Sequence, residues 1–162
     1  MEIKRADYLK RLIDKQDNKM IKVITGLRRS GKSYLLYNLF RKYLLENVTD
    51  DKHIIYLALD AEENKKYWDS SQLNEYLLDR IKSDSEKYYI LLDEIQKVDD
   101  FVPVLNGFLY KENVDVYVTG SNSKMLSSDI ITEFRGRGDV IHLYPLTFKE
   151  YFEAYDGDKD DA

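Results

Sequence analysis

The sequence contains no cysteine, two prolines, one tryptophan and two histidines among its 162 residues. The missing cysteines exclude a disulfide scaffold and any thiolate metal centre. The histidines, His53 and His142, stand far apart with no partner at metal-ligand spacing. Long apolar runs are absent as well: the longest, Ile54 to Leu59 and Tyr88 to Leu92, fall far short of the roughly 18 residues that span a bilayer. The opening Met-Glu-Ile-Lys-Arg lacks the apolar core of a secretory signal, so a cytoplasmic address with no membrane partner is the expectation. No internal repeat or low-complexity linker interrupts the chain. What remains, 43% apolar and 34% charged residues, is the composition of one ordinary domain, long enough to bury roughly 70% of the surface that its unfolded chain exposes.

The net charge of −5 hides an asymmetry. Residues 1–50 carry 12 Lys+Arg against 6 Asp+Glu, while residues 51–162 carry 13 against 24, so the two parts are +6 and −11. A basic first third suits nucleic acid, nucleotide phosphates or the acidic remainder of the chain equally well. The last residues, 156–162, are acidic and lack core formers, and are expected to fray as a tail or to open a linker.

Apolar patterning alternates strand with helix. Met20 to Thr25 reads as a strand that runs straight into Gly26 and a polar loop. Tyr34-Leu35-Leu36, Leu39-Phe40 and Tyr43-Leu44 then recur at helical spacing. His53 to Leu59 is a second strand, and Asp69-Ser70-Ser71 caps a helix carrying Leu73, Tyr76, Leu77 and Ile81. Tyr88 to Leu92 is continuous and apolar, as a strand covered on both faces must be. Asp99 or Asp100 caps a helix with Pro103 in its first turn. Val114 to Thr119 and Asp139 to Leu146 are the remaining strands. Tyr8, Leu9, Leu12 and Ile13 mark an amphipathic first helix, and Tyr151, Phe152 and Tyr155 a last one. Such alternation predicts an α/β fold with a parallel sheet.

Between the first strand and its helix, Gly26-Leu27-Arg28-Arg29-Ser30-Gly31-Lys32-Ser33 matches the phosphate-binding loop G-x-x-x-x-G-K-[S/T] without a gap. Gly26 and Gly31 permit backbone conformations and close approaches that a side chain obstructs, so successive N–H groups can converge on phosphate oxygens. In this pattern Lys32 reaches the β- and γ-phosphates and the Ser33 hydroxyl coordinates Mg²⁺. Arg28 and Arg29 lie within the cradle but their side chains have no required place in the generic motif. Sixty-one residues after Lys32, the strand Ile90-Leu91-Leu92 ends in Asp93-Glu94, the pattern of a Walker B site. Asp93 is placed to hold Mg²⁺, and Glu94 to orient and deprotonate an attacking water.

Val116 to Thr119 leads into Gly120-Ser121-Asn122. In P-loop folds with an added strand this one lies between the loop strand and the Asp-Glu strand, which gives Ser121 or Asn122 access to the γ-phosphate or the water. Arg135-Gly136-Arg137-Gly138 precedes the last strand and has two readings: a charge-stabilising arginine, Arg137 or Arg135, supplied to a neighbouring subunit, or a solvated turn that balances Glu133 and Asp139.

Together these residues resemble the P-loop ATPases of the AAA superfamily, in the archaeal and bacterial branch that joins such a module to a C-terminal domain of unknown function. The similarity runs through Met20 to Ser33 with its double arginine, Leu92-Asp-Glu-Ile-Gln96, Thr119-Gly-Ser-Asn-Ser123 and Leu143 to Glu150. It implies a three-layer P-loop NTPase sandwich, a five-stranded parallel sheet with helices on both faces, and ATP with Mg²⁺ at the C-terminal ends of the strands. It also implies an ATPase domain over residues 1–155, with the chain an N-terminal fragment or a shortened member of a family that continues further; an arginine supplied in trans would make it a homo-oligomer.

The expected function is ATP hydrolysis that drives a conformational change in an attached domain or partner. The alternative is an ATP-binding switch with negligible hydrolysis. A GTPase is disfavoured because Asn122-Ser123-Lys124 does not supply an N-K-x-D base-reading sequence, and no arginine-rich lid suggests a small-molecule kinase.

Overall fold

In the computed structural model, which describes residues 5–82, 85–121, 125, 132–134 and 136–155, the first strand β1 (Ile21–Thr25) is buried along its whole length. It is flanked by β4 (Val114–Gly120) on one side and β5 (Gly138–His142) on the other. With β2 (Ile54–Ala58) and β3 (Tyr88–Asp93) the strands form one sheet in the order β2-β3-β4-β1-β5, every pairing parallel. The predicted α/β architecture is therefore present, and β4 does lie between the loop strand and the Asp-Glu strand.

Strand side chains alternate between two apolar layers, as the period of a pleated strand demands. Ile21, Val23, Ile90, Leu92, Val116 and Val118 face α3 (Ser70–Arg80) and α4 (Phe101–Leu109), where Leu73, Leu77, Leu105 and Phe108 meet them. Ile24, Leu91 and Tyr117 face the other way, toward Leu12 of α1 (Ala6–Asp14) and Leu35, Leu36 and Phe40 of α2 (residues 34–47). Helix α2 follows the glycine-rich loop; it is π-helical over Tyr34–Arg41 and α-helical over Lys42–Asn47. Apolar pairs four residues apart fit either winding, so the periodicity that announced the helix did not distinguish them. The last helix, α5 (Phe148–Ala154), starts with a capping box in which Thr147 accepts the Glu150 amide and Glu150 accepts the Thr147 amide. Among the described residues, no helix is long and apolar enough to cross a membrane.

Three boundaries differ from expectation. Strand β5 stops at His142 rather than Leu146, because Pro145 has no N–H for a ladder and Thr147 already begins the capping box. Asp69 caps α3 by accepting the Gln72 amide at 3.0 Å, but Asp100 adopts a left-handed conformation and makes no side-chain cap. A seven-residue 3₁₀ segment, Glu62–Trp68, fills the stretch between β2 and α3 and carries no strong periodic signal.

Burial also reveals an ion pair inside the sheet. Lys22, fully buried on β1, pairs with Asp115 of β4, and its ammonium lies 4.6 Å from the centre of the Tyr117 ring. The Tyr117 hydroxyl donates to Asp115 at 2.8 Å, the Asp17 amide donates to the same carboxylate at 2.9 Å, and Asn18 Oδ1 accepts from Lys22 at 3.2 Å. Burial pushes the Lys22 ammonium below its ordinary pKa, with Asp115 acting against that shift.

Candidate functional site

Parallel pairing puts the C-terminal ends of β1, β3 and β4 at one edge of the sheet, and three predicted motifs meet there. Thr25 is level with Gly120, and Leu92 with Val118, so Asp93 stands beside Thr119. The loop 26–33 leaves β1 at this edge and enters α2.

Within the loop, Gly26 makes a close approach to its own chain: a Cβ there would overlap the Leu143 carbonyl oxygen and lie 2.9 Å from Ser30 Oγ. Gly31 has φ +97°, a left-handed value, and a Cβ at that position would find nothing nearer than Arg5 Nη1 at 3.9 Å. Arg29 is also left-handed at φ 63°. Leu27, Arg28 and Arg29 are exposed while Ser30 and Lys32 are buried. The Lys32 ammonium donates to the Gly26 carbonyl at 3.0 Å and the Leu27 carbonyl at 2.7 Å, which bends it across the loop. Its burial lowers the ammonium pKa, and the charges of Glu94 and Asp93 oppose that shift.

Asp93 is 3% exposed. The Thr119 hydroxyl donates to its Oδ1 and the Tyr56 hydroxyl donates to its Oδ2 at 3.3 Å. Desolvation raises the Asp93 pKa above the ordinary carboxylate value, although the Ser33 and Thr119 hydroxyls act against that shift. Glu94 is left-handed at φ 59°, and its amide donates to Thr119 Oγ1 at 2.9 Å. Its Oε2 accepts from the Ser121 hydroxyl at 2.8 Å and from Gln96 Nε2.

This chemistry fits a phosphate chain with a hard divalent cation. An open, left-handed glycine and a lysine and a serine of the same loop, opposite a buried carboxylate, are the donor set such a ligand requires. Among the described residues no three His, Cys, Asp or Glu side chains cluster to hold a metal on their own. Mg²⁺ held through one carboxylate, substrate phosphates and waters needs no such cluster.

Residues 18–152 match the family described as the AAA domain. The chain belongs to that family. It is 38% identical over 152 residues to an uncharacterized protein of Haemophilus influenzae, covering 94% of this chain and 38% of the relative. It is 34% identical over 140 residues to an uncharacterized protein of Methanocaldococcus jannaschii, covering 82% and 28% respectively. The chain thus spans well under half the length of these curated relatives. Among solved structures, Cdc6p from Pyrobaculum aerophilum superposes with a TM-score of 0.60 at 13% identity, over 93% of this chain and 48% of that one. AMPPCP-bound DnaA from Aquifex aeolicus superposes with a TM-score of 0.57 at 16% identity, over 91% and 47%. At such identities the likeness is one of fold alone, the α/β P-loop NTPase-like sandwich.

In this AAA domain the loop residues, Asp93, Glu94 and Ser121 come together, while Arg137 does not join them. Arg137 directly precedes β5, and its carbonyl accepts the amide of Ile21 at 2.7 Å, which fixes it at the opposite edge of the sheet. Its guanidinium donates to the Tyr110 hydroxyl at 3.1 Å. Asp139, the suggested counter-charge, is instead bound by Lys15 at 2.7 Å. Asn122 and Arg135 lie outside the described residues. Two contributors were not singled out as site residues from sequence: Thr119, read as a strand end and as the first residue of the Thr119–Ser123 resemblance, and Arg5, which belongs to no motif and donates to the Ser30 carbonyl at 3.3 Å.

Proposed function

We propose that this AAA domain binds ATP with Mg²⁺, hydrolyses it to ADP and phosphate, and uses the cycle to change the conformation of an attached domain or partner. The observation that carries this reading is the convergence of the Lys32 loop with the Asp93-Glu94 pair around the tip of β4. The backbone of Gly26, Leu27, Arg28, Arg29, Ser30 and Gly31 cradles the phosphates, and Lys32 straightens from its own loop carbonyls onto the β- and γ-phosphates. Ser33 and Asp93 hold Mg²⁺, which supplies charge neutralisation at the phosphates. Glu94 accepts the proton of the attacking water, and Ser121 or Asn122 orients water or phosphate. Because Arg137 sits at the far edge of its own sheet, its role as a finger belongs to a neighbouring copy in a homo-oligomer. The module occupies residues 1–155, and 156–162 lead toward a C-terminal domain of the kind that the longer relatives leave room for. Nucleic acid has no part in this reading.

A second reading, an ATP-binding switch with negligible turnover, draws on the Glu94 contacts: the Ser121 and Gln96 hydrogen bonds restrain the carboxylate that must accept the proton. Phosphate release with Mg²⁺-ATP decides between them, comparing the chain with Lys32→Ala and Glu94→Gln. Hydrolysis predicts a loss of at least about 100-fold in both variants, with ATP binding retained only in Glu94→Gln. Tight ATP binding without turnover in the parent chain would select the switch. Full turnover in Glu94→Gln would remove the base assignment.

A further inference from the structure

Arg5 precedes α1, belongs to no nucleotide-binding motif, and has a side chain that is only 5% exposed. It makes three long-range contacts. Nη1 donates to the carbonyl of Ser30 in the phosphate loop at 3.3 Å, and Nη2 donates to the carbonyl of Tyr144 at 2.8 Å. Nε lies 2.9 Å from Glu150 Oε1, an ion-pair distance without hydrogen-bond alignment. Tyr8 flanks the group, with the guanidinium carbon 4.6 Å from its ring centre.

One consequence of these contacts follows from peptide geometry. A trans peptide points its C=O and N–H in opposite directions, and among the described residues there is no cis peptide. By holding the Ser30 carbonyl, Arg5 turns the Gly31 amide away from itself and leaves that donor for a phosphate oxygen. The second consequence concerns α5. Among the described residues this helix contributes no buried side chain, and Phe148 and Tyr151 on it are exposed. Glu150 divides its carboxylate between two tasks: Oε2 accepts the Thr147 amide at 2.8 Å to cap α5, and Oε1 faces Arg5. The phosphate loop and the start of α5 are thus joined through one guanidinium.

We propose that Arg5 is a positioning residue that sets the Ser30–Gly31 peptide for phosphate binding and couples that setting to α5 through Glu150. The inference rests on the nucleotide reading above and names the route by which the loop communicates with the rest of the protein. Linkage makes it reciprocal: a partner or domain that moves α5 alters nucleotide affinity by the same factor that nucleotide alters its docking.

The test uses the 162-residue chain, MgADP as the probe, and amide NMR with hydrogen exchange. Arg5→Lys keeps the charge but lacks the fork that spans three partners. Glu150→Gln removes the ion pair while keeping a side chain that serves a capping box. The expected results are about a tenfold loss of MgADP affinity in Arg5→Lys and a two- to fivefold loss in Glu150→Gln. The Gly31 amide resonance shifts in Arg5→Lys even without nucleotide, and MgADP slows exchange in α5 of the parent but not of Arg5→Lys. Parent-like affinity with an unmoved Gly31 resonance in Arg5→Lys would overturn the proposal, as would exchange in α5 of the parent that ignores MgADP while the nucleotide binds. A parent chain that binds MgADP no better than Lys32→Ala would instead sink the nucleotide reading, and the nucleotide-free Gly31 resonance would still decide whether Arg5 sets the peptide.

Discussion

Thr119 donates its hydroxyl to Asp93 Oδ1 and accepts the amide of the next residue, Glu94, at 2.9 Å. One side chain from β4 therefore fixes both the orientation of a buried carboxylate and the left-handed turn that points Glu94 toward Ser121. Thr119→Val keeps the shape and deletes the hydroxyl, leaving a buried acceptor and a backbone donor short of a partner, at a cost of about 1–3 kcal/mol. Denaturant unfolding of the nucleotide-free chain measures that cost. Turnover should fall by roughly tenfold or more, and Thr119→Ser should restore most of it; equal losses in Ser and Val would show that the hydroxyl is not what matters.

Strand positions and the phosphate loop were legible because each depends on local pattern: Tyr88 to Leu92 is an unbroken apolar run and is buried throughout. The contributions of Thr119 and Arg5 were not, because their meaning comes from parallel register and from a contact spanning 139 residues to Tyr144. Lys22 reads as a polar interruption of an apolar strand until its partner, 93 residues later, is brought beside it. Arg137 shows the converse. Its sequence neighbourhood suggested a site residue, and the direction of β5 carries it to the far edge of the sheet.

Asp93 trades stability for chemistry. Its carboxyl is buried, and desolvation holds its pKa above the ordinary value, so the folded state favours the protonated form more than the unfolded chain does. A raised folded-state pKa means stability that is present at low pH and lost as pH rises from the ordinary aspartate range through the raised value. Asp93→Asn removes that loss. Without nucleotide or metal, the variant should exceed the parent at pH 7 by on the order of 1 kcal/mol, or about 2–4 °C in Tm, and the gap should shrink as the medium is acidified. The same variant should lose Mg²⁺-dependent nucleotide binding. A lower Tm for Asp93→Asn at pH 7 would contradict the desolvation argument.

Gly26→Ala should fail for a reason internal to the fold. The new methyl would meet the Leu143 carbonyl, and that segment cannot retreat freely because the Leu143 amide donates to the Thr25 carbonyl at 2.7 Å. The expected cost is about 1–3 kcal/mol, together with weaker nucleotide binding. Adding Ser30→Ala relieves only the softer contact, at 2.9 Å, and should recover little. Full recovery in the double variant would place the obstruction at Ser30 rather than at the backbone.

The Lys22–Asp115 pair offers the clearest separation of stability from function. It lies on β1 four residues before Gly26, about 13 Å along the strand from the loop. Lys22→Met leaves the Asp115 carboxylate buried without its counter-charge, although the Tyr117 hydroxyl and the Asp17 amide still donate to it. Breaking one side of a buried pair typically costs about 3–5 kcal/mol. Replacing both, as Lys22→Met with Asp115→Asn, removes the stranded charge and retains an acceptor for Tyr117, so the double variant should be markedly more stable than Lys22→Met. Urea unfolding of the two single variants and the double one yields the coupling energy. Nucleotide affinity per folded molecule should remain that of the parent in all three, since no contact of the pair reaches the loop. If the double variant were no more stable than Lys22→Met, the cost would lie in lost packing of the lysine stem between Tyr117 and the sheet rather than in the uncompensated charge.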